Sequence, residues 1–178
     1  MSSLKSRRRL LQGLAGALLL VGPTACFRPL YGPTASGVPL QDQLAAIEVA
    51  MIGTPQGAER LGHDLRSELI FALDGSGKPQ PKRYRLTISA TESVQGTTVD
   101  ITTGRANTAL LNGAATFTLT SLDGARTLLQ GTARGTATYS RDAQRFANVR
   151  AARDADMRVA RLIAEDIKMR IAALFATS

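Results

Sequence analysis

Ala115-Thr116-Phe117-Thr118-Leu119-Thr120, running on through Ser121-Leu122-Asp123-Gly124 into a second stretch from Thr127 to Tyr139, decides how this chain folds. Phe117 and Leu119 alternate with threonines and share a face with Leu111 and Ala115. That period of two marks a half-buried strand from about Arg105 to Thr120. An Asp-Gly pair between two such runs marks a hairpin, because these residues accept the turn backbone that matches strand twist. The returning strand, Thr127 to Tyr139, is rich in Thr, Ala and Gly. Small residues along one strand face predict a helix lying close above it.

Upstream, Tyr84, Leu86, Ile88 and Ala90 alternate with Arg83, Arg85, Thr87 and Ser89, which predicts another strand. The polar, Thr-rich stretch from Thr91 to Arg105 reads as the way back to the hairpin. Earlier still, Ile47, Val49 and Met51 alternate from Ala45 until Gly53-Thr54-Pro55-Gln56-Gly57 ends the first strand. Leu61, Leu65, Leu69 and Leu73 then recur every four residues, predicting an amphipathic helix from about Ala58 to Leu73. From Asn148 to Phe175 there is no Gly or Pro, and Ala155, Val159, Ile163, Ile167 and Ile171 form one stripe with Leu162 and Leu174 beside it. That is a second helix, long enough to cover a sheet face. The expected fold is α+β: a four-stranded, mostly antiparallel sheet with two helices packed on one face, in the order β-α-β-β-β-α.

The chain has 178 residues, which suits one domain and a leader. Residues 1–25 have the parts of a secretory signal: Lys5 and Arg7 to Arg9, an apolar run from Leu10 to Val21, and small residues before Cys26. The apolar run is shorter than the ~20 residues a membrane-spanning helix needs. Four of the 22 basic residues fall in this leader, leaving 18 against 14 acidic ones and a mildly basic remainder. Pro23-Thr24-Ala25-Cys26 resembles a bacterial lipobox, which implies diacylglycerol and an N-acyl chain on Cys26. Ser6-Arg7-Arg8-Arg9-Leu10-Leu11 resembles a twin-arginine signal and fits an ordinary export signal as well. Phe27 rather than Asp after the cysteine resembles the sorting pattern of outer-membrane lipoproteins. Residues 26–42 hold a Pro- and Gly-rich stretch read as an extended tether. The domain is then 43–178.

The chemistry in this composition is sparse. One cysteine excludes an intramolecular disulfide and any CxxC site. With no tryptophan and few aromatics, a stacking platform for single-stranded nucleic acid is not expected. The single histidine, His63, falls off the leucine stripe of its helix, so a Ser-His-acid arrangement is not expected. Gly75-Ser76-Gly77-Lys78 departs from a phosphate loop, with Ala72 in place of the first glycine, Pro79 in place of the hydroxyl, and a helix before it. Asp154, Asp156, Glu165 and Asp166 lie among arginines along the last helix and read as a solvated face rather than metal ligands. No cofactor, metal site or catalytic residue is expected. Arg83, Arg85, Arg105 and Arg134 flank or occupy the strands. Facing away from the helices, they would offer charge-assisted contacts to phosphates.

The run Cys26-Phe27-Arg28-Pro29-Leu30-Tyr31-Gly32 resembles the mature start of the lipopolysaccharide-assembly lipoprotein family, LptE, although the glycine usual after the cysteine is missing. The likeness continues through Ile47-x-Val49, Arg60-Leu61, Leu65-Arg66, Tyr84-x-Leu86, Tyr139, Phe146-Ala147, Asp154-Ala155 and the helix from Leu162 to Arg170. The resemblance implies a non-enzymatic, lipid-anchored protein of the outer membrane, facing the periplasm. Its implied partners are an LptD-like β-barrel translocon, which it helps to assemble, and lipopolysaccharide. A different class, the auxiliary lipoprotein of an ABC-type lipid transporter, also joins a lipid anchor to a small α+β domain.

Overall fold

The computed structural model describes residues 37–75, 80–99, 106–141 and 144–177. The expected leader, Cys26, most of the tether, Arg105 and most of the Gly75–Lys78 loop lie outside them. The described elements are α1 (Leu40–Ala45), β1 (Ile47–Val49), α2 (Glu59–Asp74), β2 (Tyr84–Val99), β3 (Ala106–Ser121), β4 (Thr127–Ser140) and α3 (Arg145–Thr177). One sheet is ordered β1-β2-β3-β4. β1 lies parallel to β2, with Ile47 opposite Tyr84, and β2, β3 and β4 are antiparallel. The expected α+β architecture is therefore the observed one, with a short first helix added.

Alternation along each strand sorts the two faces. Leu86, Ile88, Ala90, Leu111, Ala115, Phe117 and Leu119 are buried on the inner face, and α2 and α3 pack there. α2 contributes its four leucines, each essentially inaccessible to solvent. α3 contributes Val159, Ile163, Ile167 and Ile171. The outer face carries Thr87, Ser89, Thr116, Thr132, Thr136 and Thr138, exposed or half-buried with no described element over them.

The hairpin forms where Asp-Gly predicted it. Gly124 takes a positive φ of 73°, a conformation that costs little only without a Cβ. The Asp123 carboxylate accepts from the Ala125 N–H and the Ser121 hydroxyl, and both interactions hold its pKa below the usual range. The small residues of β3 and β4 also have the expected cause. A Cβ added at Gly135 would stand 3.0 Å from the Val159 carbonyl oxygen, and one at Gly113 2.5 Å from Val159 Cγ1. The backbone of α3 thus lies nearly in contact with β4.

Three elements differ from expectation. The Thr-rich stretch after Ala90 continues β2 as far as Val99 instead of turning back. Glu92 to Gly96 pair with Gly113 to Ala109 of β3, so backbone hydrogen bonds and β-branched threonines carry the strand past the end of the core. The stretch read as extended through residue 42 turns helical at Leu40, because Leu40 and Leu44 are buried against the core. Finally, α3 begins at Arg145, and its first buried residue is Ala155. Its first ten residues therefore project beyond the packed seam.

Candidate functional site

At the end of the sheet where β2 and β4 begin, a half-open cleft of about 570 Å³ is bounded by α1, the start of β2, the β3–β4 turn and the end of α3. Its apolar wall is made by Tyr84, Leu128, Leu174 and Phe175. The Tyr84 and Phe175 rings stand 5.1 Å apart at a tilt of 42°, within the range of favourable aromatic pairs. Arg83 and Arg126 line the polar side, with Asp42 the only acid there among the described residues.

Both arginines are positioned by their backbones. The Arg83 N–H donates to the Ala46 carbonyl at 2.8 Å, and its carbonyl accepts from the Leu122 N–H at 2.8 Å. The Arg126 carbonyl accepts from the Ser121 N–H at 2.9 Å, and its N–H donates to Ser121 Oγ at 3.1 Å. Two guanidiniums beside an apolar wall suit an anion that carries an apolar body. Among the described residues no His, Cys or Ser lines the cleft.

The four arginines singled out from the sequence do not converge. Arg83 lines the cleft. Arg85 points from the outer face but is held by Glu48 of β1, Nη2 to Oε2 at 3.2 Å. Arg134 stands exposed on the outer face of β4, across from Ala114. Arg105 lies outside the described residues. Arg126 was missed because it sits in a turn, where no periodicity marks it, and only the fold brings it to Arg83.

A second cluster lies where α2 crosses α3. Asp156, expected on a solvated face, is instead only 8% exposed and accepts from Arg60 Nη1 at 3.3 Å. Burial pushes its carboxyl above the usual aspartate range, opposed by the Arg60 hydrogen bond and charge. Glu92, the inward residue beyond Ala90 on β2, is also raised, first by burial and then by the Asp156 charge. Its Oε2 is buried without a hydrogen-bond partner among the described residues. His63 stands in solvent, its side chain 82% exposed, with Nδ1 3.3 Å from the Asp64 carboxylate. Among the described residues no three His, Cys, Asp or Glu side chains are grouped to hold a metal ion. No described helix is long and apolar enough to cross a membrane.

A family model, LptE, described as lipopolysaccharide-assembly, matches residues 44–171. The chain belongs to the LptE family. That match spans α2, all four strands and α3 as far as Ile171. Membership places the protein among the lipoproteins of the bacterial envelope that serve lipopolysaccharide assembly. Among solved structures, a Caulobacter crescentus protein described as a lipoprotein is similar at 25% identity and a TM-score of 0.60, covering 77% of this chain and 95% of that one. The minor lipoprotein of Acinetobacter baumannii shares this fold at 19% identity and a TM-score of 0.53, covering 72% of this chain and 92% of that one. A search of curated protein sequences finds no significant match.

Proposed function

We propose that this LptE-family protein is the lipid-anchored accessory subunit of an outer-membrane β-barrel that exports lipopolysaccharide, an LptD-like translocon. The observation that carries this reading is the family match over residues 44–171, most of the α+β core. The opening run Cys26 to Gly32 and the leader before it support Cys26 as the acylated anchor. The role calls for surfaces rather than a catalyst: one to hold the barrel, one to meet the anionic lipid.

For the lipid, the cleft is the best-supported place. Arg83 and Arg126 would take a phosphate, while Tyr84, Leu128 and Phe175 would take adjoining acyl or sugar carbon. Arg134 adds a cation on the outer face. Arg85 would have to give up Glu48 to contribute, so its share is smaller.

The test is affinity purification of the full-length, C-terminally tagged protein from detergent-solubilised membranes, with mass spectrometry of its partners and of its N-terminal peptide. A large outer-membrane barrel together with acylated Cys26 is the expected result. An ATPase complex in place of the barrel would move the protein to the ABC-transporter class. An unmodified Cys26 would remove the anchor. Charge reversal at Arg83 and Arg126 together is expected to weaken lipopolysaccharide capture while leaving barrel recovery intact.

A further inference from the structure

The projecting start of α3 carries a pattern that neither the cleft nor the core uses. Phe146, Arg150, Arg153, Met157 and Arg161 follow at helical spacing, so they share one side of the helix, with Val149 on its flank. All six are exposed, Phe146 at 75% and Met157 at 47%. On the opposite side Ala151 lines a shallow recess with Thr108 and Tyr139 at the sheet end. From Phe146 to Met157 the stripe therefore faces away from the domain.

Its charge is of one sign. Asp154 is held by Arg158 at 2.8 Å, and Asp156 turns inward to Arg60. Arg150 and Arg153 form no ion pair with a described carboxylate, and the Arg150 guanidinium lies 5.8 Å from the centre of the Phe146 ring. At the far end Arg161 reaches Glu68 at 3.6 Å.

Phe146, Val149 and Met157 interleaved with Arg150 and Arg153, which pair with no described carboxylate, match an interfacial surface. The apolar groups enter the boundary of the acyl region while the guanidiniums stay among phosphates. From Phe146 to Arg161 the stripe is roughly 24 Å long. It can lie flat along a bilayer.

We propose that the Phe146–Arg161 face of α3 docks on an anionic phospholipid surface. This does not depend on the barrel or on the cleft. A grooved or acid-seeking protein site would leave Phe146, Val149 and Met157 without a use, whereas the bilayer interface engages both kinds of side chain.

The chain contains no tryptophan, so Phe146→Trp creates a single reporter within the stripe of the full-length protein. The probes are vesicles of phosphatidylcholine alone and of phosphatidylcholine with phosphatidylglycerol. Emission should shift to the blue, and be quenched by bromine-labelled acyl chains, only with phosphatidylglycerol. Adding Arg150→Gln and Arg153→Gln should weaken that response about 30-fold, from the contribution each cation makes near an anionic surface, with unchanged unfolding by circular dichroism. Insertion of the leader into both vesicle types would leave the reporter unmoved and overturn the proposal. So would an equal shift with both lipids, or a shift produced by poly-glutamate without lipid, which would assign the face to an acidic polypeptide.

Discussion

The two parts of α3 obey different rules although the helix runs through both without a break. From Ala155 onward a buried residue recurs every three or four positions, and the helix lies so close to β4 that a Cβ at Gly135 would crowd the Val159 carbonyl. From Arg145 to Asp154 no residue is buried, and Phe146 and Val149 face solvent among arginines. The first part is what the fold requires. The second is surplus to folding, and a large aromatic kept in water without a packing reason points to a role in contact with something else.

The sharpest way to break this contrast is to attack the packed part. Ile163 is fully buried, so Ile163→Ala should cost about 3–4 kcal/mol through lost transfer energy and the cavity left behind. Urea unfolding monitored by circular dichroism measures it. A loss below about 1 kcal/mol would mean that the seam is loose and the contrast false. Gly135→Val tests the same seam from the strand. Its new atoms would meet the Val159 carbonyl, Ile163 Cγ1 and Leu162 Cβ within 3.0 to 3.3 Å, and backbone cannot swing aside as a side-chain tip can. Overpacking of this kind should cost about 2–3 kcal/mol.

What was readable beforehand follows this division. The leucines of α2, the isoleucines of α3, the alternation in β2 and β3 and the Asp-Gly turn all report burial against one core. Periodicity records burial, and those elements were found where burial runs, β2 only as far as Ala90. Val94 and its polar neighbours in β2 escaped because both faces there meet solvent, so pairing with β3 leaves no hydrophobic alternation to read. Asp156 escaped for the opposite reason. Its spacing among arginines looks like a surface pattern, and only the crossing of α2 brings Arg60 to it. The cleft draws on four separate segments, and Arg126 on its rim sits in a turn, where local pattern carries no information about distant partners.

Asp156 stands at the border of the two parts, and pH sharpens that border. Asp156 and Glu92 both have folded-state pKa values raised above their ordinary ones. The folded state therefore holds their protons more tightly than the unfolded state does. The penalty is absent well below about pH 4, where both states are protonated. It grows as pH rises through the raised values, where the folded protein must carry two neighbouring charges. Glu92→Gln removes one charge and with it the repulsion that Asp156 exerts on Glu92. The melting temperature of this variant relative to the unmodified protein should climb between pH 4 and pH 7. A difference flat across that range would mean that Glu92 is already solvated and uncoupled from Asp156. Asp156→Asn should not behave in the same way, because it also removes the acceptor for Arg60.

The smallest expected effect lies in the projecting part. Phe146→Ala combined with Val149→Ala removes two large apolar side chains, a change that would be ruinous in the seam. Here it should move stability by no more than about 0.5 kcal/mol, as is usual for surface sites away from special features. Two opposed contributions set that size. Alanine favours helix over Phe and Val by a few tenths of a kcal/mol at each position. Against this, the contact of Arg150 with the Phe146 ring is lost, and exposed contacts of that kind contribute about 0.5–1 kcal/mol. Near a helix start the propensity gain is partly lost to fraying, so the balance falls near zero. If urea unfolding instead showed a loss above about 1 kcal/mol, the projecting turns would be packing against the domain. Their apolar residues would then need no external partner, and the case for a docking face would lose its footing.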